Sequence, residues 1–211
     1  MKEDLELLQR CTKAVDERLS GKRLAHVHSV SDYAMKMAKI YGANEFDAQI
    51  AGLLHDWDKL YKDDELLARM AEFDIPAPEN VEYLFPILHS FTGAKAVRRE
   101  FPELTDEIES AIWHHSLGGS NLCTLDMIVF VADAIEPLRS AQHRPDLETI
   151  RAMVGVEPLE NIYFETYAET MRSLVNRKRC IHSDAFEIWN NLVKKFHPVD
   201  KSKQGRCDIV L

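Results

Sequence analysis

A histidine and an aspartate stand side by side where an apolar helical pattern ends, at His55 and Asp56. Three further polar residues follow apolar runs in the same way, namely His89, His115 and Asp133. Side chains in such positions are expected to point into the protein interior, where an unpaired polar or ionised group costs several kcal/mol. The fold must therefore bring these groups to partners, and metal coordination is one arrangement that satisfies all of them together.

Helical periodicity runs through most of the chain. Apolar residues recur at intervals of three and four, with proline, glycine and capping residues between the periodic segments. Residues 128–131 could form a buried strand, but their flanks are helical and we predict a helix there. We predict one all-α domain, a helical bundle over residues 1–196, followed by a polar tail at 197–211. The predicted helices are 2–19, about 24–41, one capped by Asn44 that leads into His55, 63–73, 84–100, one opened by Thr105 or Asp106 that runs to His115, 125–135, 146–154, 162–178, and one opened by Ser183 or Asp184 that ends near Phe196.

Charge and hydropathy limit the partners of the chain. Its net charge of −9 argues against general binding to DNA or RNA backbones. No apolar run approaches about 18 residues, so we predict no membrane span. The charged N-terminus lacks the apolar core of a signal peptide, and the four cysteines are too far apart for a zinc-ribbon or thioredoxin-like motif. We therefore expect a cytoplasmic protein.

Histidine and aspartate ligands suit a limited group of metal ions. Imidazole and carboxylate groups fit iron, manganese, zinc or nickel, whereas several histidines make magnesium alone a poor fit. The side chains of His55 and Asp56 point about 100° apart around a helix, so the two residues are not expected to coordinate one ion in the same way. A carboxylate that lies between two ions can instead bridge the two ions. Two metals about 3.5–4 Å apart are usual for hydrolysis of phosphate esters and anhydrides. A single histidine on an apolar helix face is more often an ordinary core or surface residue, so the joint pattern carries the prediction.

The order of these residues, with His26 upstream, resembles the HD-domain superfamily of metal-dependent phosphohydrolases. Within it, the similarity is greatest to the YqeK family of symmetrical diadenosine tetraphosphate hydrolases, over about residues 5–195. The segment 132–139, Ala-Asp-Ala-Ile-Glu-Pro-Leu-Arg, is the most specific mark of that family. The other similar segments are 23–26 (Arg-Leu-Ala-His), 55–59 (His-Asp-Trp-Asp-Lys), 88–93 (Leu-His-Ser-Phe-Thr-Gly), 111–116 (Ala-Ile-Trp-His-His-Ser) and 181–190.

The resemblance implies a helical HD fold with two divalent metal ions, iron first, with manganese, nickel, zinc or magnesium as alternatives. His115 is preferred to its neighbour His114, and His26 to His28, because of the motif spacing in the family. The implied ligands are His26, His55, Asp56 and Asp133 for one ion, and His89 and His115 for the other, with Asp56 bridging both.

The same resemblance implies a small-molecule nucleotide substrate, diadenosine tetraphosphate, cleaved symmetrically into two ADP. Lys59 would act with Asp56 in catalysis by stabilising charge on the substrate phosphates. Arg23, Arg139 and Ser116 would join Lys59 in binding the substrate, since the planar guanidinium group suits phosphate oxygens. A homodimer is one alternative for the oligomeric state.

Several of these residues have plainer interpretations. Lys59 could be a solvated lysine at a helix end, and either arginine could be a salt-bridge partner of Glu136. Trp57 is expected in the core rather than as a platform for a base. Asp58 departs from the small or apolar residue common in the family, and we expect it to orient a metal-bound histidine. Ser116 replaces a family threonine and keeps the hydroxyl.

Two other functions stay open at this point. The chain could be an HD phosphohydrolase for another nucleotide, such as a nucleoside monophosphate, a dNTP or a cyclic nucleotide. It could instead be a non-catalytic sensor that binds a nucleotide or a metal. If the histidines were purely structural, substitution of His55 or Asp56 would change stability without changing the bound metal.

Overall fold

The computed structural model describes residues 2–140 and 144–198, and within these ranges it contains ten α-helices and no strand. A 3-10 turn at Val81–Tyr83, which the sequence did not predict, precedes the fifth helix. The helices are α1 Lys2–Arg18, α2 Gly21–Tyr41, α3 Glu45–Leu54, α4 Asp63–Glu72, α5 Phe85–Glu100, α6 Asp106–His114, α7 Thr124–Ile135, α8 Leu147–Met153, α9 Leu159–Asn176 and α10 Ser183–Phe196.

Local capping signals mark several of these boundaries. The Asn44 side chain accepts hydrogen bonds from two backbone N–H groups in the first turn of α3, and Thr105 accepts one at the start of α6. Gly42 ends α2 in the left-handed region, at φ 76°, which glycine adopts without strain. The predicted ends differ mainly at α2, which begins at Gly21, and at α9, which begins directly after Pro158. The all-α prediction is confirmed.

Helix α7 lies at the centre of the bundle. Ten of its twelve residues are buried, and it packs against α2, α3, α6, α8 and α9. This environment explains the nearly continuous apolar run, which is ambiguous between a buried strand and a buried helix in the sequence. The prediction of a helix at 128–131 is confirmed, and α7 carries its one partly exposed carboxylate, Asp133, in its last turn toward the neighbouring helices.

Helices α2 and α3 make the most extensive helix–helix contact in the described part of the chain. Gly52 allows this approach, because a Cβ atom at that position would lie 2.9 Å from the Cα atom of Ser31. The close packing places the C-terminal end of α3 beside the middle of α2. It therefore brings His55 near His26, with ring centroids 5.3 Å apart.

No helix in the described ranges is long and apolar enough to cross a membrane. The predicted polar tail begins at residue 197, and residues 199–211 of it lie outside the described residues. The domain boundary at residue 196 stays a prediction.

Candidate metal centre

Five helices bring six histidine and aspartate side chains to one place. Helix α2 supplies a histidine from its buried face, α5 supplies one from its second turn, and α7 supplies an aspartate from its last turn. The C-terminal ends of α3 and α6 supply the remaining three side chains. In chain order the six residues are His26, His55, Asp56, His89, His115 and Asp133, and all but Asp133 are buried.

His55 and His115 are oriented in the same way by the ends of their helices. Each Nδ1 atom lies 2.7 Å from the backbone carbonyl oxygen three residues earlier, of Gly52 and of Ile112. If each Nδ1–H donates there, Nε2 is left as the free ligand atom facing the cluster. The Nε2 atom of His55 is buried and has no hydrogen-bond partner in the described structure. A metal ion would satisfy this atom, so the donor set fits a metal site.

Glu136 holds the ring of His26. Its Oε1 atom lies 3.0 Å from Nδ1 of His26, and Oε2 accepts hydrogen bonds from the Ser29 hydroxyl and the Leu138 backbone N–H. A carboxylate behind a histidine fixes the tautomer and makes the opposite nitrogen a better metal ligand. Glu136 is thus part of the candidate site, a role that the sequence analysis did not assign. The signal that could have found it is its place within the 132–139 motif.

The first set of candidate ligand atoms is His26 Nε2, His55 Nε2, Asp56 Oδ2 and Asp133 Oδ1. Asp133 Oδ1 lies 3.0 Å from Nε2 of His26 and 3.6 Å from Nε2 of His55. Asp56 Oδ2 lies 3.9 Å and 3.6 Å from the same two nitrogens. Ligand atoms about 2.1 Å from a shared ion are separated by roughly 3.0–3.4 Å at octahedral or tetrahedral angles. The observed separations are close to that range.

The second set adjoins the first through the other oxygen of Asp56. Asp56 Oδ1 lies 3.1 Å from Nε2 of His89 and 3.9 Å from Nε2 of His115, and these two nitrogens are 3.0 Å apart. His55, His115 and Asp133 also offer candidate ligand atoms within 4.8 Å of one another. The two sets of atoms are therefore directly adjacent. Asp56 alone presents one oxygen to each set.

Positive side chains surround the carboxylates. Arg23 donates to Asp56 Oδ2 at 2.5 Å, Arg139 donates to Asp133 Oδ1, and Nζ of Lys59 lies 3.9 Å from Asp56 Oδ1. Burial alone would raise the pKa of Asp56, but the charges and hydrogen bonds of His55, His89 and Lys59 hold that pKa well below its usual value. Both carboxylates are therefore ionised at neutral pH, as metal ligands must be.

The predicted substrate-binding residues all border this cluster. Lys59 Nζ donates to the carbonyl oxygen of Pro86 at 3.3 Å and lies 3.2 Å from Nε2 of His89, so it is not a freely solvated lysine. The Ser116 hydroxyl lies 3.1 Å from Nε2 of His115. Arg23 and Arg139 pair with aspartates of the cluster rather than with Glu136, the alternative partner considered from the sequence.

Three neighbouring residues lie elsewhere. His28 is partly exposed and pairs with Asp16, and His114 faces Ser110, so neither joins the cluster. Trp57 is buried, as expected for a core residue.

The expectation for Asp58 is wrong. Asp58 is fully buried and contacts no histidine of the cluster, because its two oxygens accept hydrogen bonds from Arg69 at 2.7 and 3.1 Å. It anchors the segment after α3 to α4, and Glu136 takes the role that we predicted for Asp58.

A helical bundle whose buried histidines and aspartates converge from five helices defines a metal-binding, all-α class of protein. The HD domain family matches residues 23–138, just over half of the chain, so the chain belongs to the HD domain family. A relative from Halalkalibacterium halodurans named "Bis(5'-nucleosyl)-tetraphosphatase, symmetrical" is 27% identical over 184 residues, which cover 87% of this chain and 96% of the relative.

Two further comparisons agree with this assignment. A Bacillus subtilis protein with the same name is 27% identical and covers 85% of this chain and 94% of its own length. The crystal structure of a "predicted HD superfamily hydrolase involved in NAD metabolism" from Clostridium acetobutylicum shares the fold, with a TM-score of 0.81, 22% identity, and coverage of 89% of this chain and 97% of that chain. The predictions of an HD-domain fold, a YqeK-like relationship and an enzyme of the hydrolase class are confirmed.

Proposed function

We propose that this protein hydrolyses dinucleoside tetraphosphates symmetrically, converting diadenosine tetraphosphate into two ADP at a centre of two divalent metal ions. The names of relatives that align with most of this chain support the substrate and the symmetry of cleavage. The arrangement of Asp56 supports the two-metal centre, and it is the observation that carries the proposal, because its two oxygens face two separate groups of histidines.

The proposed ligand assignment follows the two sets. One ion would be held by His26, His55, Asp56 and Asp133, and the other by His89, His115 and Asp56. We propose iron as the metal, since imidazole and carboxylate donors without thiolate suit it, with manganese, nickel or zinc as ions of similar preference. When bound, two such ions would supply Lewis acidity and a water activated near neutral pH.

The residues of the chain then have distinct tasks. Symmetrical cleavage adds water across the central phosphoanhydride, so that each ADP leaves with two phosphates. Lys59, with its ammonium group at the edge of the second set, would stabilise the charge that develops on the phosphate oxygens. Arg23 and Arg139 would hold the outer phosphates and exchange part of their contact with Asp56 and Asp133 for the substrate. Ser116 would donate a hydrogen bond to a phosphate oxygen beside His115.

Metal analysis combined with product analysis tests the proposal. Protein purified without oxygen is assayed for metal per chain, and the products from diadenosine tetraphosphate are separated by chromatography. We expect two metal ions per chain and ADP as the only nucleotide product. ATP and AMP in equal amounts would show asymmetric cleavage. Bound metal without turnover of any phosphoanhydride would support a sensor and contradict the proposed activity.

A further inference from the structure

A cavity of about 240 Å³ opens beside the second ligand set. It lies between the start of α5, the turn after α6, and the C-terminal end of α9 with the loop that leads into α10. Two of the lining residues also border the metal centre. Ser116 has its hydroxyl 3.1 Å from Nε2 of His115, and Pro86 has its carbonyl oxygen 3.3 Å from Nζ of Lys59. A ligand with a phosphate at the second set therefore has direct access to the cavity.

The inner wall of the cavity is apolar and partly aromatic. Phe130 and Tyr167 lie nearly parallel, with ring centroids 5.8 Å apart and an angle of 19° between the rings. The Tyr167 hydroxyl already donates to the carbonyl oxygen of Ala185, so a ligand does not have to accept a hydrogen bond from it. Met171 and Leu174 complete this wall from α9. A wall of this kind suits a flat, weakly polar group rather than a phosphate.

The outer rim of the cavity is basic. Arg177 and Arg179 line it, both are exposed, and neither forms an ion pair within residues 2–140 and 144–198. Unpaired guanidinium groups are unexpected in a chain with a net charge of −9, where most other arginines contact carboxylates. Guanidinium groups stack on aromatic rings and donate to the acceptor nitrogens of purines.

We propose that this cavity binds the purine base and ribose of one half of the substrate, with Arg177 and Arg179 contacting the base. This inference rests on the proposed function, which supplies the nucleotide. The cavity is smaller than the roughly 300–1,000 Å³ usual for a complete drug-sized ligand. It therefore has room for a single nucleoside, while the tetraphosphate extends over the metal centre and the second nucleoside lies outside.

The exposed thiol of Cys180, which lines the cavity, provides a direct test. In the full-length, metal-containing protein, the rate of alkylation of Cys180 by iodoacetamide is followed by peptide mass spectrometry with and without ADP. Cys123, an exposed thiol that lines a different cavity, is the internal control. We expect ADP at ten times its Kd to slow the alkylation of Cys180 about tenfold and to leave the alkylation rate of Cys123 unchanged. We expect pyrophosphate to give no protection of Cys180.

Protection by pyrophosphate equal to that by ADP would show that phosphate alone occupies the site and would overturn the inference. Unchanged alkylation of Cys180 at a concentration of ADP that competitively inhibits turnover would also overturn it. ADP protection in a protein that does not cleave diadenosine tetraphosphate would contradict the proposed activity while supporting the nucleoside site. The two proposals therefore fail in distinguishable ways.

Substitution of the rim arginines gives a second, independent test. We expect the double variant R177Q/R179Q to raise KM for diadenosine tetraphosphate about tenfold, as for loss of a charge-assisted contact, and to weaken ADP protection of Cys180 equally. The matched control is Lys178→Asn, which removes a charge from the same loop at a residue that does not line the cavity. Asparagine also tolerates the positive φ of 53° at that position. An equal rise in KM in both proteins would indicate general electrostatics and overturn the assignment.

Discussion

At the scale of single residues, Asp56 connects the two halves of the candidate centre. Its side chain is only 4% exposed, and the cationic side chains of Arg23 and Lys59 and several imidazoles surround it. A carboxylate buried to this extent is stable only when both of its oxygens have partners. The opposite orientation of the two oxygens is a property of this one residue, and it makes Asp56 the most sensitive position of the proposed two-metal site.

We predict that Asp56→Asn loses metal and activity together, because an amide offers one oxygen where the carboxylate offers two. We expect metal content to fall from two ions per chain to one or none, and kcat to fall by about a hundredfold or more. Metal analysis and steady-state kinetics measure these quantities. Asp16→Asn, a change of the same kind at the exposed partner of His28, is the control. Retention of both metals in Asp56→Asn would contradict the bridging role.

Lys59 is expected to behave differently from the ligands. We predict that Lys59→Met retains both metals, since the lysine is not in either ligand set, but lowers kcat about a hundredfold through loss of charge stabilisation. The same metal and rate measurements apply, with Lys36→Met at an exposed position of α2 as the control. Burial lowers the pKa of Lys59 although Asp56 and Asp133 oppose this shift. Normal kcat in Lys59→Met would remove the residue from the mechanism.

At the scale of helices, the sequence predicted the positions of the helices better than it predicted the side-chain contacts at the candidate metal centre. Periodicity and capping residues gave each α-helix within a few residues, because these signals are local in the chain. The apolar run before His55 likewise predicted a buried imidazole. The contact of Glu136 with His26 joins residues 110 positions apart in the chain, and Asp58 pairs across a turn with Arg69 in the next helix. The residues next to a carboxylate in the chain do not indicate which of several histidines or arginines its side chain will contact.

The close contact between α2 and α3 provides a test at this scale. We predict that Gly52→Ala destabilises the protein by about 1–3 kcal/mol, because its Cβ would meet backbone atoms of Ser31 and Val30 at 2.9 and 3.0 Å. Gly93→Ala in α5 is the matched control, since the nearest atom to its Cβ would be 3.6 Å away. Alanine there should be neutral or stabilising by up to about 1 kcal/mol. Urea unfolding measures both, and equal effects would refute a packing role for Gly52.

At the scale of the whole molecule, the all-α bundle follows from its sequence more directly than its cavity does. Helix α7 is apolar at nine of its twelve positions and around most of its circumference, so it has to lie in the interior, and the amphipathic helices have to cover it. The cavity beside Ser116 is lined by both the C-terminal end of α9 and the start of α5, two segments about ninety residues apart in sequence. No pattern within either segment indicates that both line one cavity.

The buried histidines also make the stability of the metal-free protein depend on pH. Burial lowers the pKa of His89, with Lys59 contributing, and holds the pKa of His115 well below its usual value, with His55 and His89 contributing. Both rings are therefore neutral in the folded protein at pH values where the unfolded chain, with a pKa of about 6.5, takes up protons. Acidification consequently favours the unfolded state. The contribution of the two rings is complete above about pH 6.5 and is lost progressively below it.

We predict that, with chelator present, the free energy of unfolding falls between about pH 6.5 and pH 5 by up to about 1.4 kcal/mol per pH unit for each of the two histidines. The ligand carboxylates do not contribute in this window, because the pKa values of Asp56 and Asp133 lie well below 3.8 and their stabilisation is lost only in stronger acid. Urea titrations across the window measure the slope. His115→Gln should reduce it, whereas His28→Gln, at a partly exposed position outside the cluster, should not. An unchanged slope in His115→Gln would show that its imidazole is not held neutral by the fold.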